Sequence, residues 1–142
     1  METTLEYIKS KYTTSKDVYY QLKIIRPTHP ITSRFYSLSL NGLVFVRAGY
    51  GFDGPSGPTI DTPDVIFCSV IHDVLYEMFT KGELDLKWRK AADQELKDIG
   101  IACGASHSRM KVWKSMVRIF ARKAALPISK KKIYIIPAVT EC

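Results

Sequence analysis

Apolar residues alternate with polar ones along residues 18–25: Val18, Tyr20, Leu22 and Ile24 face one way, Gln21 and Lys23 the other. A period of two predicts a strand, and Pro27 and Pro30 end it. Two more β-prone runs, 36–40 and 43–46, flank Asn41-Gly42. Asn-Gly at that place predicts a type I′ hairpin, whose two central residues both take positive φ. The register it implies sets Leu40 opposite Leu43 and Leu38 opposite Phe45, with one apolar face. Residues 49–63 are different. Four glycines and three prolines exclude regular structure there and leave a loop.

The period then changes. Thr62 supplies a hydroxyl cap, Pro63 a first helical residue and Asp64 an acid in the first turn, so a helix is expected from there to about Thr80, ended by Gly82. It is apolar almost all round, through Val65, Ile66, Phe67, Val70, Ile71, Val74, Leu75, Met78 and Phe79, which predicts burial. A second helix fits 85–99, stopped by Gly100. A third fits 106–125, stopped by Pro127. Residues 132–136 fit a short last strand. Strands followed by helices without βαβ alternation give an α+β fold: an antiparallel hairpin or small sheet packed with three helices. The 142 residues are one domain's worth of chain, with the first 15 as a loose arm.

Composition changes this picture little. A 46% hydrophobic, 25% charged chain is an ordinary globular one and excludes disordered, collagen-like and disulfide-framework classes. Apolar runs such as 65–68 are far short of a membrane span, and the N-terminal residues lack the apolar core of a signal peptide. Three widely spaced cysteines, Cys68, Cys103 and Cys142, suggest a reducing compartment. The net charge of +7 is concentrated. Residues 105–132 hold nine of the 21 Lys/Arg and no acid, leaving 12 Lys/Arg against 14 Asp/Glu elsewhere.

Candidate chemistry lies on the first helix. His72 and Tyr76 share a face one turn apart, and Asp73 points about 100° away. A buried imidazole and carboxylate need partners or a cation. The preceding loop offers carbonyls, and the second helix offers Arg89 and Asp93 on one face. A histidine base oriented by one carboxylate, with a second carboxylate joining loop carbonyls around calcium, fits these residue types. Zinc fits less well, because no second histidine or cysteine stands at ligand spacing from His72. A structural role fits too: Asp73 paired with Arg89, His72 a satisfied core histidine, Tyr76 tied to the loop, and Asp53 and Ser56 shaping turns.

The stretch Val46-Arg-Ala-Gly-Tyr-Gly-Phe-Asp-Gly-Pro-Ser-Gly-Pro, then Cys-Ser-Val-Ile-His72-Asp73-Val-Leu-Tyr76, then Arg89-Lys-Ala-Ala-Asp93-Gln-Glu-Leu96, resembles a family of small phage and prophage proteins of unassigned function. The resemblance covers roughly residues 35–120. More distantly, a His-Asp-x-x-Tyr helix after a glycine-rich loop resembles phospholipase A(2), especially the compact domain of parvovirus capsid proteins. That resemblance implies His72 as the base that activates water, Asp93 orienting it and Tyr76 supporting the network. It also implies calcium held by Asp73 and by carbonyls around Phe52, Gly54 and Ser56. Arg89 is not part of the phospholipase pattern, and the disulfides of the secreted enzymes are absent.

Together the resemblances imply first a phage virion or assembly-associated protein on a phospholipase-like scaffold. An active calcium-dependent lipid esterase acting during entry or lysis is the alternative. The basic third helix, with Lys111, Lys114, Arg118 and Arg122 along one stripe, has three readings besides a solvated face: anionic lipid, non-specific nucleic acid, or neighbouring virion proteins. A phage factor binding a host protein or nucleic acid through that stripe is a further alternative. The expected location is the virion or the host cytoplasm.

Overall fold

Val44 sits between Leu38 on one neighbouring strand and Tyr20 on the other, and this register organises the larger sheet. The computed structural model describes residues 12–52, 63–120 and 138–139. It is an α+β structure with N-terminal strands. Strands β2 (Val18–Gln21), β3 (Ile31–Thr32), β4 (Tyr36–Leu38) and β5 (Leu43–Val46) form an antiparallel sheet in the order β2-β5-β4-β3. A second sheet has β1 (Tyr12–Thr14) at its centre. It is antiparallel to β6 (Gly51–Phe52) and parallel to β7 (Ala138–Val139).

Residues 51–52, expected to lie in an irregular loop, pair as a strand, and three further expectations change. The first concerns the N-terminal arm. Its described end, Tyr12–Thr14, is a strand, and Thr14 is buried. Its hydroxyl donates to the Arg47 carbonyl at 3.0 Å and accepts from the Tyr50 N–H at 2.9 Å. The second concerns the hairpin. Leu38 pairs with Val44 rather than Phe45. The Gly42 N–H closes a turn onto the Ser39 carbonyl, and only Gly42, at φ 86°, takes a left-handed conformation. A type I turn followed by a left-handed glycine makes a three-residue loop where type I′ makes two. The slip exchanges the faces. Tyr36, Leu38, Val44 and Val46 enter the core, while Leu40 and Leu43 are exposed.

The third is the end of β2, which stops at Gln21, well before residue 25. The Leu22 N–H still reaches the Gly42 carbonyl, and from Lys23 on the backbone N–H groups are taken by a carboxylate instead of a neighbouring strand. Glu95, wholly buried, accepts from Lys23 at 2.9 Å and Ile24 at 2.8 Å.

Helix α1 (Pro63–Thr80) is enclosed as its composition demands, with Ile71, Val74, Leu75 and Met78 fully buried. Each such side chain contributes about 1.5–3 kcal/mol relative to exposure. Lys81 and Gly82 turn the chain, Gly82 at φ 74°. Asp85 caps a 3-10 turn, Leu86–Trp88, and α2 (Arg89–Ala102) follows. Helix α2 runs through Gly100, which is not its stop. Gly100 is buried against the Met110 side chain, so its missing Cβ serves close packing. Gly104, at φ 109°, ends that segment. Helix α3 (His107–Phe120) begins where Ser106 accepts the Arg109 N–H at 3.2 Å. It docks through Met110, Trp113 and Val117. The expected end of this helix at 125 and the expected strand at 132–136 lie outside the described residues. Among the described residues no helix is long and apolar enough to cross a membrane.

Cys68 is a buried thiol outside any disulfide, whereas Cys103 is disulfide-bonded.

Candidate functional site

The short connection between α1 and α2 makes them an antiparallel helical hairpin, so residues on their facing sides meet locally. Two side chains on α1, four residues apart, point at α2: His72 and Tyr76. Their rings lie 4.2 Å apart at 33°. Opposite them, on α2, is Asp93, with no exposed surface. His72 Nε2 donates to Asp93 Oδ1 at 2.7 Å, and the Tyr76 hydroxyl donates to the same oxygen at 2.7 Å. Because an ionised carboxylate only accepts, the Nε2 proton is fixed by this contact.

The other Asp93 oxygen is taken from a third helix. Arg118 on α3 donates to Oδ2 at 3.0 Å. Arg89, at the start of α2, links the remaining corners. Its Nε donates to the Tyr76 hydroxyl at 3.1 Å, and its second terminal nitrogen donates to the Arg118 carbonyl at 2.9 Å. The result is a closed set of hydrogen bonds around one carboxylate, built from three helices.

The electrostatics follow. Burial alone would raise the Asp93 pKa, but the hydrogen bond and charge of His72, with the bonds from Tyr76 and Arg118, outweigh it and hold the carboxyl below its ordinary value. Asp93 is therefore ionised at neutral pH. Tyr76 is pushed well above the usual phenol range, first by burial and then by its bond to Asp93, so it stays a neutral donor.

His72 is held through one nitrogen only. Among the described residues Nδ1 takes no hydrogen bond.

Asp73, the neighbour of His72, is half-buried and makes interactions of its own. Its charge helps to raise the pKa of Tyr50, after burial and the nearby Glu77. That places its carboxylate on the side of the Tyr50 hydroxyl, which donates to Glu77 at 2.7 Å. Phe52, the last described residue before that loop, is buried and stacks on Tyr12 at 5.6 Å. Asp53, Gly54 and Ser56 lie outside the described residues. Among the described residues no group of three or more His, Cys, Asp or Glu side chains forms a metal cluster.

The basic stripe is divided. Lys111 is exposed, but Lys114 turns to Gln94, its ammonium 2.5 Å from the amide oxygen, and Arg118 points inward to Asp93. Arg122 lies outside the described residues. Two of the four residues expected to meet a partner thus bond to α2. The sequence carried no signal for this, because Lys111, Lys114 and Arg118 each follow a buried apolar residue, Met110, Trp113 and Val117. Arg89 likewise bonds to Tyr76 and Arg118, contacts that one-dimensional spacing does not reveal.

Glu95 is the other buried acid of α2 that the sequence reading passed over. It bonds the backbone after β2 and has no part in the His72 cluster. Compared with known protein families, curated proteins and solved structures, the chain matches none of them.

Proposed function

We propose that this chain is an ester hydrolase of the phospholipase A(2)-like type, with His72 as the general base. One observation carries the reading: His72 is gripped at Nε2 by a buried, ionised Asp93 while Nδ1 takes no hydrogen bond among the described residues. That is the tautomer and orientation a water-activating base needs. Nδ1 takes a proton from water as the water attacks the ester carbonyl. Asp93 stabilises the imidazolium that forms, and the proton then passes to the departing alcohol oxygen. Tyr76 keeps Asp93 aimed at the ring.

Calcium is the cofactor that fits this proposal. Asp73 is the proposed carboxylate ligand, and the carbonyls around Phe52, Gly54 and Ser56 are the proposed remaining ligands. Bound there, calcium would polarise the ester carbonyl. With the resemblance to phage proteins, the proposed setting is a host membrane during entry or lysis.

A second reading has its own observation. Arg118 occupies the second Asp93 oxygen, so the cluster is complete as a purely structural network in a virion or assembly component. The two readings separate in one experiment. Purified protein is mixed with phosphatidylcholine–phosphatidylglycerol vesicles, and fatty-acid release is followed with calcium and with a chelator. The hydrolase reading expects release that calcium supports and His72→Gln lowers about a thousandfold while the fold persists. No release from the wild type, with His72→Gln lowering the melting temperature, favours the structural reading.

A further inference from the structure

We infer that Arg118 is a positioning residue for the His72–Asp93 pair, delivered by α3; the inference rests on the hydrolase reading for its consequence, though not for its geometry. A carboxylate held through a single oxygen retains a torsional freedom that swings its other oxygen. His72 and Tyr76 both use Oδ1. Arg118 is the donor on Oδ2, and it fixes the carboxylate plane to which the imidazole is bound.

Its own position is set twice. Val117, the neighbouring residue, is buried in the core, which sets the rotation of α3. The Arg118 carbonyl accepts from Arg89, which in turn holds Tyr76. A movement of α3 therefore reaches His72 by two routes, one through Asp93 and one through Arg89 and Tyr76. Arg118 is itself only partly covered, its side chain 35% exposed, so solvent reaches the outer part of this clamp.

The chemistry requires a guanidinium or another N–H donor of that reach. A lysine keeps the charge and one donor, although it loses the planar fork. Glutamine keeps a donor without the charge. These differences allow positioning to be told from bulk.

The test uses the full chain with ring-nitrogen labelling of histidine, His72 being assigned by the loss of its signals in His72→Gln. The wild type is expected to show one tautomer, protonated on Nε2. Arg118→Ala is expected to show averaged tautomers and to lower kcat for vesicle ester hydrolysis about tenfold to a hundredfold, with KM within about twofold. Arg118→Lys is expected to recover most of kcat and the single tautomer. Unchanged ring signals and unchanged kcat in Arg118→Ala overturn the inference. So does a loss of kcat that Arg118→Lys fails to restore while both variants lose thermal stability equally. Should the wild type hydrolyse no ester, the hydrolase reading fails and the nitrogen signals alone decide the part of Arg118. If Arg118→Ala does not fold, Arg118→Gln is read in its place.

Discussion

Tyr76 donates to the same Asp93 oxygen that His72 holds, each at 2.7 Å, so one buried oxygen carries two donors from one helix face. With Arg118 on the other oxygen, both oxygens of Asp93 are engaged.

Removal of that acceptor strands three donors. Asp93→Ala is expected to destabilise the fold by about 3–5 kcal/mol, the cost of breaking a buried pair from one side. Tyr76→Phe removes one donor and leaves the carboxylate two others, so about 1 kcal/mol is expected. Urea denaturation of the two variants checks both values. Equal losses would show that Asp93 is not the hub.

Acid stability should depend on the same carboxylate. Its folded pKa lies below the ordinary aspartate value of 3.8. The folded state therefore binds this proton less tightly than the unfolded chain, and Asp93 contributes fully above about pH 4. That contribution is lost as the pH falls through the folded value. Asp93→Asn should flatten the fall in stability below about pH 4 relative to the wild type, measured by thermal unfolding across pH.

Glu95 offers a control outside the cluster. Its carboxylate takes the N–H groups of Lys23 and Ile24, at 2.9 and 2.8 Å. Glu95→Ala leaves these donors unpaired and should cost about 3 kcal/mol, with Glu95→Gln nearer 1–2 kcal/mol because an amide oxygen still accepts. Hydrogen exchange should speed up at residues 23 and 24 in Glu95→Ala. Ester hydrolysis, if present, should persist in whatever fraction remains folded.

Close packing of α2 on α3 gives a fourth test. A Cβ on Gly100 would run into the Met110 side chain, which is fully buried. Gly100→Ala gains up to about 1 kcal/mol of helix propensity but should lose about 1–3 kcal/mol to overpacking. The double variant Gly100→Ala/Met110→Ala should be more stable than the sum of the single effects predicts.

Residues whose meaning is local were legible in the sequence. The Thr62 cap lies outside the described residues, while the helix start at Pro63, the apolar surface of α1 and the shared face of His72 and Tyr76 follow from local signals alone. So does the presence of Asp93 on the next helix, because a short connection brings successive helices together. Interactions that depend on a third element were not legible. Nothing in the spacing of α3 says that Arg118 faces α2 rather than water. Glu95 reads as one more helical acid until the backbone 72 residues earlier is seen beside it. The hairpin failed for another reason: Asn-Gly closes either a two- or a three-residue loop, and the choice rests on which residues the core accepts.

The Glu95 contact has a consequence for how this surface can vary. Its partners are main-chain amides, which every amino acid except proline supplies. Lys23 and Ile24 are exposed. Their side chains can drift to nearly any type while the attachment between sheet and helix stays intact. A substitution at Glu95 has no such latitude. Sequence divergence should therefore collect on one side of this bond and be purged on the other.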